Sequence, residues 1–343
     1  TASDDGDGGT DTLIGIENVT GSAGSDVLTG DDAANVLTGN DGDDVFYGRG
    51  GDDTYIGGDG TDTADYSAAA AGIDVDLSTN TASDDGDGGT DTISEVENVI
   101  GSAYDDTIFA DDENNVIEGG TGNDWIAGYG GDDTLYGGEG DDILHDGAGN
   151  DTVYGGAGDD EFRYSAGNDT WDGGDDVDTA NYSLLSNASD SISVTLNGSI
   201  SATVTVSDGS VDTIRNIENV IGSAGNDTIT GDILANEIYG GAGNDTIRGG
   251  RGADTLDGGA GYDTLAFDEL LTNGVYLDLA SSNASYLLDG SIDTFSNFER
   301  YLLTNQDDTV TGSSGDDLVL GQGGDDIFYA SAGSDNLQGG SGS

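Results

Sequence analysis

Residues 119–163, "GGTGNDWIAGYGGDDTLYGGEGDDILHDGAGNDTVYGGAGDDEFR", repeat one pattern of nine residues five times. Each nonad usually opens on Gly, carries Asp at position six and places an apolar side chain at position eight. One inward side chain flanked by two outward ones is the signature of a very short strand. The six Gly-rich residues before it read as a bend.

The same register extends along the chain. Nonads begin at 21, 30, 39, 48 and 57; at every ninth residue from 101 to 173; at 222, 231, 240, 249 and 258; and at 303, 312, 321 and 330, making 23. Position one departs from Gly at Ala110, Asp146, Tyr164, Leu303 and Ala330. Position six is Asp in 20 nonads: Asp26, Asp44, Asp53 and Asp62; Asp106, Asp124, Asp133, Asp142, Asp151, Asp160, Asp169 and Asp178; Asp227, Asp245, Asp254 and Asp263; and Asp308, Asp317, Asp326 and Asp335. The exceptions, Asn35, Asn115 and Asn236, each stand in the second nonad of an array, where Asn keeps an oxygen ligand but drops a charge. Position eight is apolar throughout, as in Leu28, Phe46, Ile108, Ile126, Leu135, Val153, Trp171, Ile247 and Phe328.

The spacers between arrays repeat too. "TASDDGDGGTDT" occurs at 1–12 and 81–92, both copies lead into "ENV" and "GSA", and weaker copies lie at 207–224 and 289–303. Period-two runs such as Ile73, Val75, Leu77 and Val275, Leu277, Leu279 read as longer strands. The spacers are therefore expected as wider coils of one continuous solenoid. Four segments follow: 1–65, a spacer remnant plus the first array; and 66–181, 182–266 and 267–343, each a spacer plus an array.

Composition sets the chemical problem. Seventy Asp and Glu face six Arg and no Lys, the formal charge is −64, and there are 62 Gly and no Pro, Cys or Met. Self-repulsion and backbone entropy oppose a compact state, yet 34% of residues are hydrophobic and regularly placed. Nucleic acid and anionic membrane surfaces are poor partners, since binding them relies on clustered Lys and Arg. A cation must supply the neutralising charge. No stretch approaches the roughly 20 apolar residues of a membrane span, and without Cys no disulfide reports the redox compartment. The missing initiator Met and the end at "GGSGS" suggest a piece of a longer chain.

At this point the residues spell GGxGxDxUx, with U apolar, and the chain resembles the repeats-in-toxin (RTX, hemolysin-type) calcium-binding proteins of the multi-array extracellular type. The resemblance implies an all-β, right-handed parallel β-roll or β-helix solenoid. Six residues would make a turn, three a strand, and two nonads one coil. Multiple calcium ions would sit between turns stacked 18 residues apart, held by backbone carbonyls and the sixth-position aspartates, pairing Asp124 with Asp142, Asp133 with Asp151 and Asp142 with Asp160. The chemistry agrees, because calcium is a hard cation that takes six to eight oxygen ligands and Gly frees the turn to aim its carbonyls.

Other motifs carry less. "SDDGDGGTDT" at 83–92 lacks the Glu an EF-hand needs, Val96 standing at the twelfth place from Asp85, and reads as a polar turn. His145, the single histidine, falls at the outward position nine and reads as an incidental surface residue. Asn-Asp-Thr at 150, 168, 226 and 244 matches a glycosylation acceptor but arises automatically from positions five to seven. Position three is Ala23, Asp41, Gly50, Thr121, Glu139 and Arg251 by turns, which breaks the regular row that ice binding requires.

The expected function is calcium binding by a non-enzymatic, calcium-dependently folding region of a secreted or cell-surface bacterial protein. Family resemblance implies type I secretion, the chain crossing unfolded and folding where calcium is plentiful. Two alternatives stay open: the carboxy-terminal module of an extracellular protease, lipase or epimerase whose catalytic part lies outside this chain, and an adhesin or surface-layer segment. Self-association or surface attachment would run through regions outside this chain.

Overall fold

A computed structural model describes residues 15–267, 273–286, 290–329 and 331–342. The first copy of the duplicated spacer (1–12), parts of the third spacer (268–272 and 287–289) and Ala330 lie outside the described residues. The chain divides into two compact units, Thr1–Asp176 and Val177–Ser343, and each is a parallel β-solenoid.

In the first unit, positions seven to nine of each nonad form a strand, and successive strands alternate between two parallel sheets. One sheet contains Thr107–Phe109, Trp125–Ala127, Ile143–His145 and Glu161–Arg163. The other contains Asn98–Ile100, Val116–Thr121, Thr134–Glu139, Thr152–Ala157 and Thr170–Asp175. Neighbours are 18 residues apart, Ile126 opposite Leu144 and Leu135 opposite Val153, so two nonads complete a coil. Position eight points inward and is buried at Leu28, Leu37, Phe46, Ile108, Ile126, Leu135 and Trp171. Side chains from the two sheets meet there: the Phe46 and Tyr55 rings stack at 5.5 Å, and Phe162 on Trp171 at 5.7 Å. At the end of the second unit Phe328 is only half-buried.

The spacer of the first unit is built differently from a wider coil. Asp74–Asp76, Thr81–Asp84 and Asp91–Ser94 form an antiparallel meander inserted in one sheet. Its last strand lies parallel to Thr54–Asp59, and its first parallel to Thr107–Phe109. The reversal follows from the connection. A 3-10 turn, Leu77–Thr79, ends on Asn80 at φ 58°, and so short a link can join only antiparallel neighbours. The apolar residues Ile73, Val75 and Leu77 are buried, in keeping with their period-two pattern, and so are Val96 and Val99.

The second unit repeats this plan. Thr228–Thr230, Thr246–Arg248 and Thr264–Ala266 stack in one sheet; Asn219–Ile221, Glu237–Tyr239 and Thr255–Asp257 stack in the other. It holds two meanders, Ile192–Thr195 with Ala202–Val206 and Val211–Arg215, and Val275–Asp278 with Asn283–Tyr286 and Ile292–Ser296. Among the described residues no helix is long and apolar enough to cross a membrane.

Candidate metal sites

Apart from Asp326 and Asp335, which are half-buried, the sixth-position carboxylates are buried at the turn edges, where hydrogen bonds to the neighbouring coil fix them. Asp44 Oδ1 accepts the Asp26 N–H at 2.7 Å, and Asp62 Oδ1 that of Asp44 at 2.7 Å. The relation recurs at Asp106–Asp124, Asp124–Asp142 and Asp142–Asp160, and on the opposite edge at Asn35–Asp53, Asn115–Asp133, Asp133–Asp151 and Asp151–Asp169. In the second unit it links Asp227–Asp245, Asn236–Asp254, Asp245–Asp263, Asp308–Asp326 and Asp317–Asp335. Asp178 is fully buried, and its N–H is taken by Glu218 Oε2 at 3.0 Å.

The second oxygen distinguishes two groups. Oδ2 of Asp44, Asp53, Asp62, Asp124, Asp133, Asp142, Asp151, Asp245, Asp263 and Asp326 is buried with no hydrogen-bond partner. A buried carboxylate oxygen left unpaired is costly. By contrast Asp26, Asp106, Asp227, Asp308 and Asp317 turn Oδ2 onto the N–H of Ser22, Ser102, Ser223, Thr304 and Ser313 at 2.5–3.1 Å. In four of these nonads the same Ser or Thr hydroxyl also bonds Oδ1 of its Asp, from Ser102 to Asp106 at 2.7 Å through Ser313 to Asp317 at 2.7 Å.

Most of these oxygens lie in a cradle that a side chain on the position-one glycine would fill, Asp151 being an exception because Asp146 stands at that position. A Cβ on Gly137 would meet Asp142 Oδ2 and the Gly155 carbonyl of the next coil; one on Gly119 would meet Asp124 Oδ2 and the Gly137 carbonyl. Gly138 and Gly140, at φ 126° and 125°, let the turn fold back so closely. The donor set is carboxylate and carbonyl oxygen, the set a hard cation such as calcium takes, so these residues fit the ion.

Electrostatics point the same way. Burial is the largest effect and pushes Asp124 and Asp133 up to about 7 and Asp142 up to about 8; the N–H bonds to Oδ1 oppose it, and neighbouring carboxylates add to it. Asp62 and Asp160 are raised to about 6 for the same reasons.

Several functional positions escape a count by nines. Asp91 and Asp293 in the meanders take the rung of a sixth-position Asp, accepting from Asp53 N at 2.9 Å and Asp254 N at 3.1 Å. Asp91 Oδ2 accepts the Tyr55 and Tyr66 hydroxyls at 3.1 and 3.2 Å, and Asp212 Oδ2 that of Tyr182 at 3.3 Å. Glu97, Glu218 and Glu299 cap Asp62, Asp178 and Asp263. The signal for the aspartates was present: Asp-Thr followed by an apolar residue at 91–93, 212–214 and 293–295. The loop at 83–92 is also more than a polar turn. Asp85 is buried, its Oδ1 accepting from Asp87 N and Gly89 N at 2.8 Å while Oδ2 has no partner.

Two of the three asparagine exceptions close their own sites. Asn115 Nδ2 donates to the Glu97 carbonyl at 2.5 Å, and Asn236 Nδ2 to the Glu218 carbonyl at 2.7 Å. An amide hydrogen thus meets the carbonyl there. The position-five Asn and Asp side chains form an outer ladder of the same kind, as in Asp141 N to Asn123 Oδ1 at 3.1 Å and Asn244 N to Asn226 Oδ1 at 2.7 Å. His145 is half-buried on an outward strand position between Ala127 and Arg163, and burial, with Arg163, lowers its pKa.

Residues 14–37, 29–64, 96–126, 109–144, 136–170, 216–233, 230–265, 304–337 and 329–343 match the family model of the RTX calcium-binding nonapeptide repeat, together well over half of the chain. No curated protein matches it. Stacked turns with oxygen-lined cradles at an 18-residue spacing are what such repeats build, and the chain belongs to the RTX calcium-binding nonapeptide repeat family, its fold a calcium-binding β-roll.

Proposed function

We propose that at neutral pH this region folds only as it binds several calcium ions, and that it serves as a structural, non-enzymatic part of a secreted or cell-surface protein. The observation that carries this reading is the column of buried carboxylate oxygens without a hydrogen-bond partner, most of them, such as those of Asp44, Asp124, Asp142 and Asp245, beside a carbonyl of the next coil. The ten sixth-position aspartates with such an oxygen are the proposed ligands first in line, and Asp160, Asp169, Asp178, Asp254 and Asp335 continue the series. The four array-opening aspartates and Asp317, already holding a position-two N–H, anchor the turns.

Bound calcium supplies the positive charge that a chain of formal charge −64 lacks. The chain's own residues do the rest: Gly opens the cradle, Oδ1 fixes the carboxylate to the preceding coil, and position eight closes the core. One inward apolar side chain per nonad does not offset the entropy of ordering nine residues, so folding and binding are one event. A polyanion of this kind stays extended where calcium is scarce, which suits export followed by folding outside the cell, where the affinity class of ~10⁻⁴–10⁻³ M is met.

The test is far-ultraviolet circular dichroism of the full chain. The expected result is a disordered spectrum in excess EGTA and a β spectrum in millimolar calcium. An unchanged β spectrum in EGTA at neutral pH overturns the reading.

A further inference from the structure

One turn of the long array departs from the repeat in a way its neighbours do not. Position one of the nonad at 146 is Asp instead of Gly, and Asp146 is buried. Carboxylate oxygens of Asp146, Asp151 and Asp169 lie within 4.8 Å of one another, all three side chains buried. The hydrogen bonds on Asp146 come from neutral donors: Gly147 N at 3.0 Å and the Ser165 hydroxyl on Oδ1, and Trp171 Nε1 on Oδ2 at 2.7 Å. They take three of the four lone-pair positions of the carboxylate.

A second observation points to a ligand. Asp151 is 1% exposed, and its Oδ2 has no hydrogen-bond partner even with Asp146 alongside. Three carboxylates carry a formal charge of −3 in one buried pocket, where like charges repel strongly. Gly, the usual residue at this position, would bring no such repulsion.

We infer that Asp146, Asp151 and Asp169 form a three-carboxylate site for one hard cation, tighter than the ordinary sites of the array and filled before them. The inference rests on the calcium reading for Asp151 and Asp169; what it adds is Asp146 as a ligand. Affinity of an oxygen site rises with the number of charged ligands, so removing the third carboxylate weakens binding on the order of tenfold to a hundredfold. Trp171 and Ser165 act as positioning residues that hold the Asp146 carboxylate in place.

Trp171 also supplies the readout, because its indole lies against the site and can sensitise terbium. The other tryptophan, Trp125, is exposed on an outer strand position, and the experiment uses a Trp125→Phe background for the parent and each variant so that Trp171 is the sole indole. Tb³⁺ is titrated into the full chain, with excitation at the red edge of indole absorption, and calcium is used as competitor. The expected result is a Trp-sensitised phase that saturates before the bulk of bound Tb³⁺. Its midpoint should rise by about tenfold or more in Asp146→Asn and in Asp146→Gly. The glycine variant restores the usual residue of the repeat, so it decides the matter if the asparagine variant fails to fold. Midpoints within twofold of the parent in a β-folded variant overturn the site and leave the calcium reading standing, as does a calcium-folded parent with no sensitised emission. A parent that neither folds with calcium nor binds Tb³⁺ overturns both.

Discussion

Replacing Asp142 by Ala and by Asn separates two roles of one carboxylate. Oδ1 accepts the Asp124 N–H at 2.8 Å, whereas Oδ2 has no hydrogen-bond partner and lies with the Gly155 carbonyl about the space where a Gly137 side chain would stand. Alanine removes both oxygens. The Asp124 N–H then loses its acceptor inside the turn, which costs about 1–3 kcal/mol. Asparagine keeps the Oδ1 acceptor and can aim its amide at the next coil's carbonyl, as Asn115 does at Glu97 and Asn236 at Glu218. Both variants should bind fewer calcium ions than the parent. At saturating calcium the Asn variant should be the more stable of the two by about 1–3 kcal/mol in urea unfolding. Equal stability of the two variants, or an Asn variant with the full complement of calcium by titration calorimetry, refutes the assignment of Oδ1 to the ladder and Oδ2 to the ion.

Asp142→Ala should also raise the calcium midpoint more than Asp335→Ala, because Asp335 is a half-exposed last rung while an interior turn serves two neighbours; equal midpoints count against the stacked pairing. Gly137→Ala should weaken calcium binding with the β spectrum still reachable at higher calcium, since the new Cβ occupies the cradle beside Asp142. Val99→Asp should abolish folding of the first unit at calcium levels sufficient for the parent, because Val99 is fully buried and an unpaired buried charge costs several kcal/mol; a normal spectrum would show the spacer to be dispensable. The last expectation concerns pH. In the ion-free fold, Asp124 and Asp133 near 7 and Asp142 near 8 hold protons more tightly than in the unfolded chain, where 3.8 is the reference. Their contribution, about 2–4 kcal/mol each after screening, is therefore present at low pH and lost as pH rises through about 7–8. The calcium-free chain should gain β structure between pH 8 and pH 5, and a flat profile contradicts the burial of these carboxylates.

The arrays were legible because their period is their structure. A fixed position eight and a fixed position six define the strand and the turn edge, and Leu135 and Asp142 fall where counting puts them. The spacers were half legible. Alternation at Ile73, Val75 and Leu77 reports a buried face but not strand direction, which is set by the short turn ending at Asn80. Rungs outside the count, such as Asp91 and Glu97, depend on that reversed direction and so could not be placed by spacing. Position two separates Asp26 from Asp44, Ser22 against Asn40, but the consequence does not show in the sequence: Ser22 donates its backbone N–H to Asp26, a contact visible only once the turn is folded.

The meanders explain why the spacers carry the same few residues each time. In the first unit one edge of the ladder passes straight through the insertion: Asp44 bonds Asp62, Asp62 bonds Glu97, and Asn115 joins the Glu97 carbonyl before the ladder resumes at Asp133. The longer Glu side chain reaches the rung, and the Asn amide takes the carbonyl. The other edge cannot pass, because the reversed strands leave Asp91 as its last rung, and it restarts where Ile73 N–H bonds Asp106. The second unit does the same with Glu218 and Asn236 on one edge and Ile192 N–H on Asp227 at the other, then again with Glu299 and with Val275 N–H on Asp308. On the proposed reading, each spacer Glu, in "EN" at 97 and 218 and in "ER" at 299, is a metal-independent clamp between runs of ion sites. Glu97→Gln should then leave the calcium count unchanged while lowering stability at saturating calcium, since a charge-assisted bond to Asp62 N–H becomes a neutral one worth about half as much. Loss of a calcium ion in that variant would instead make Glu97 a ligand and the clamp an ion site.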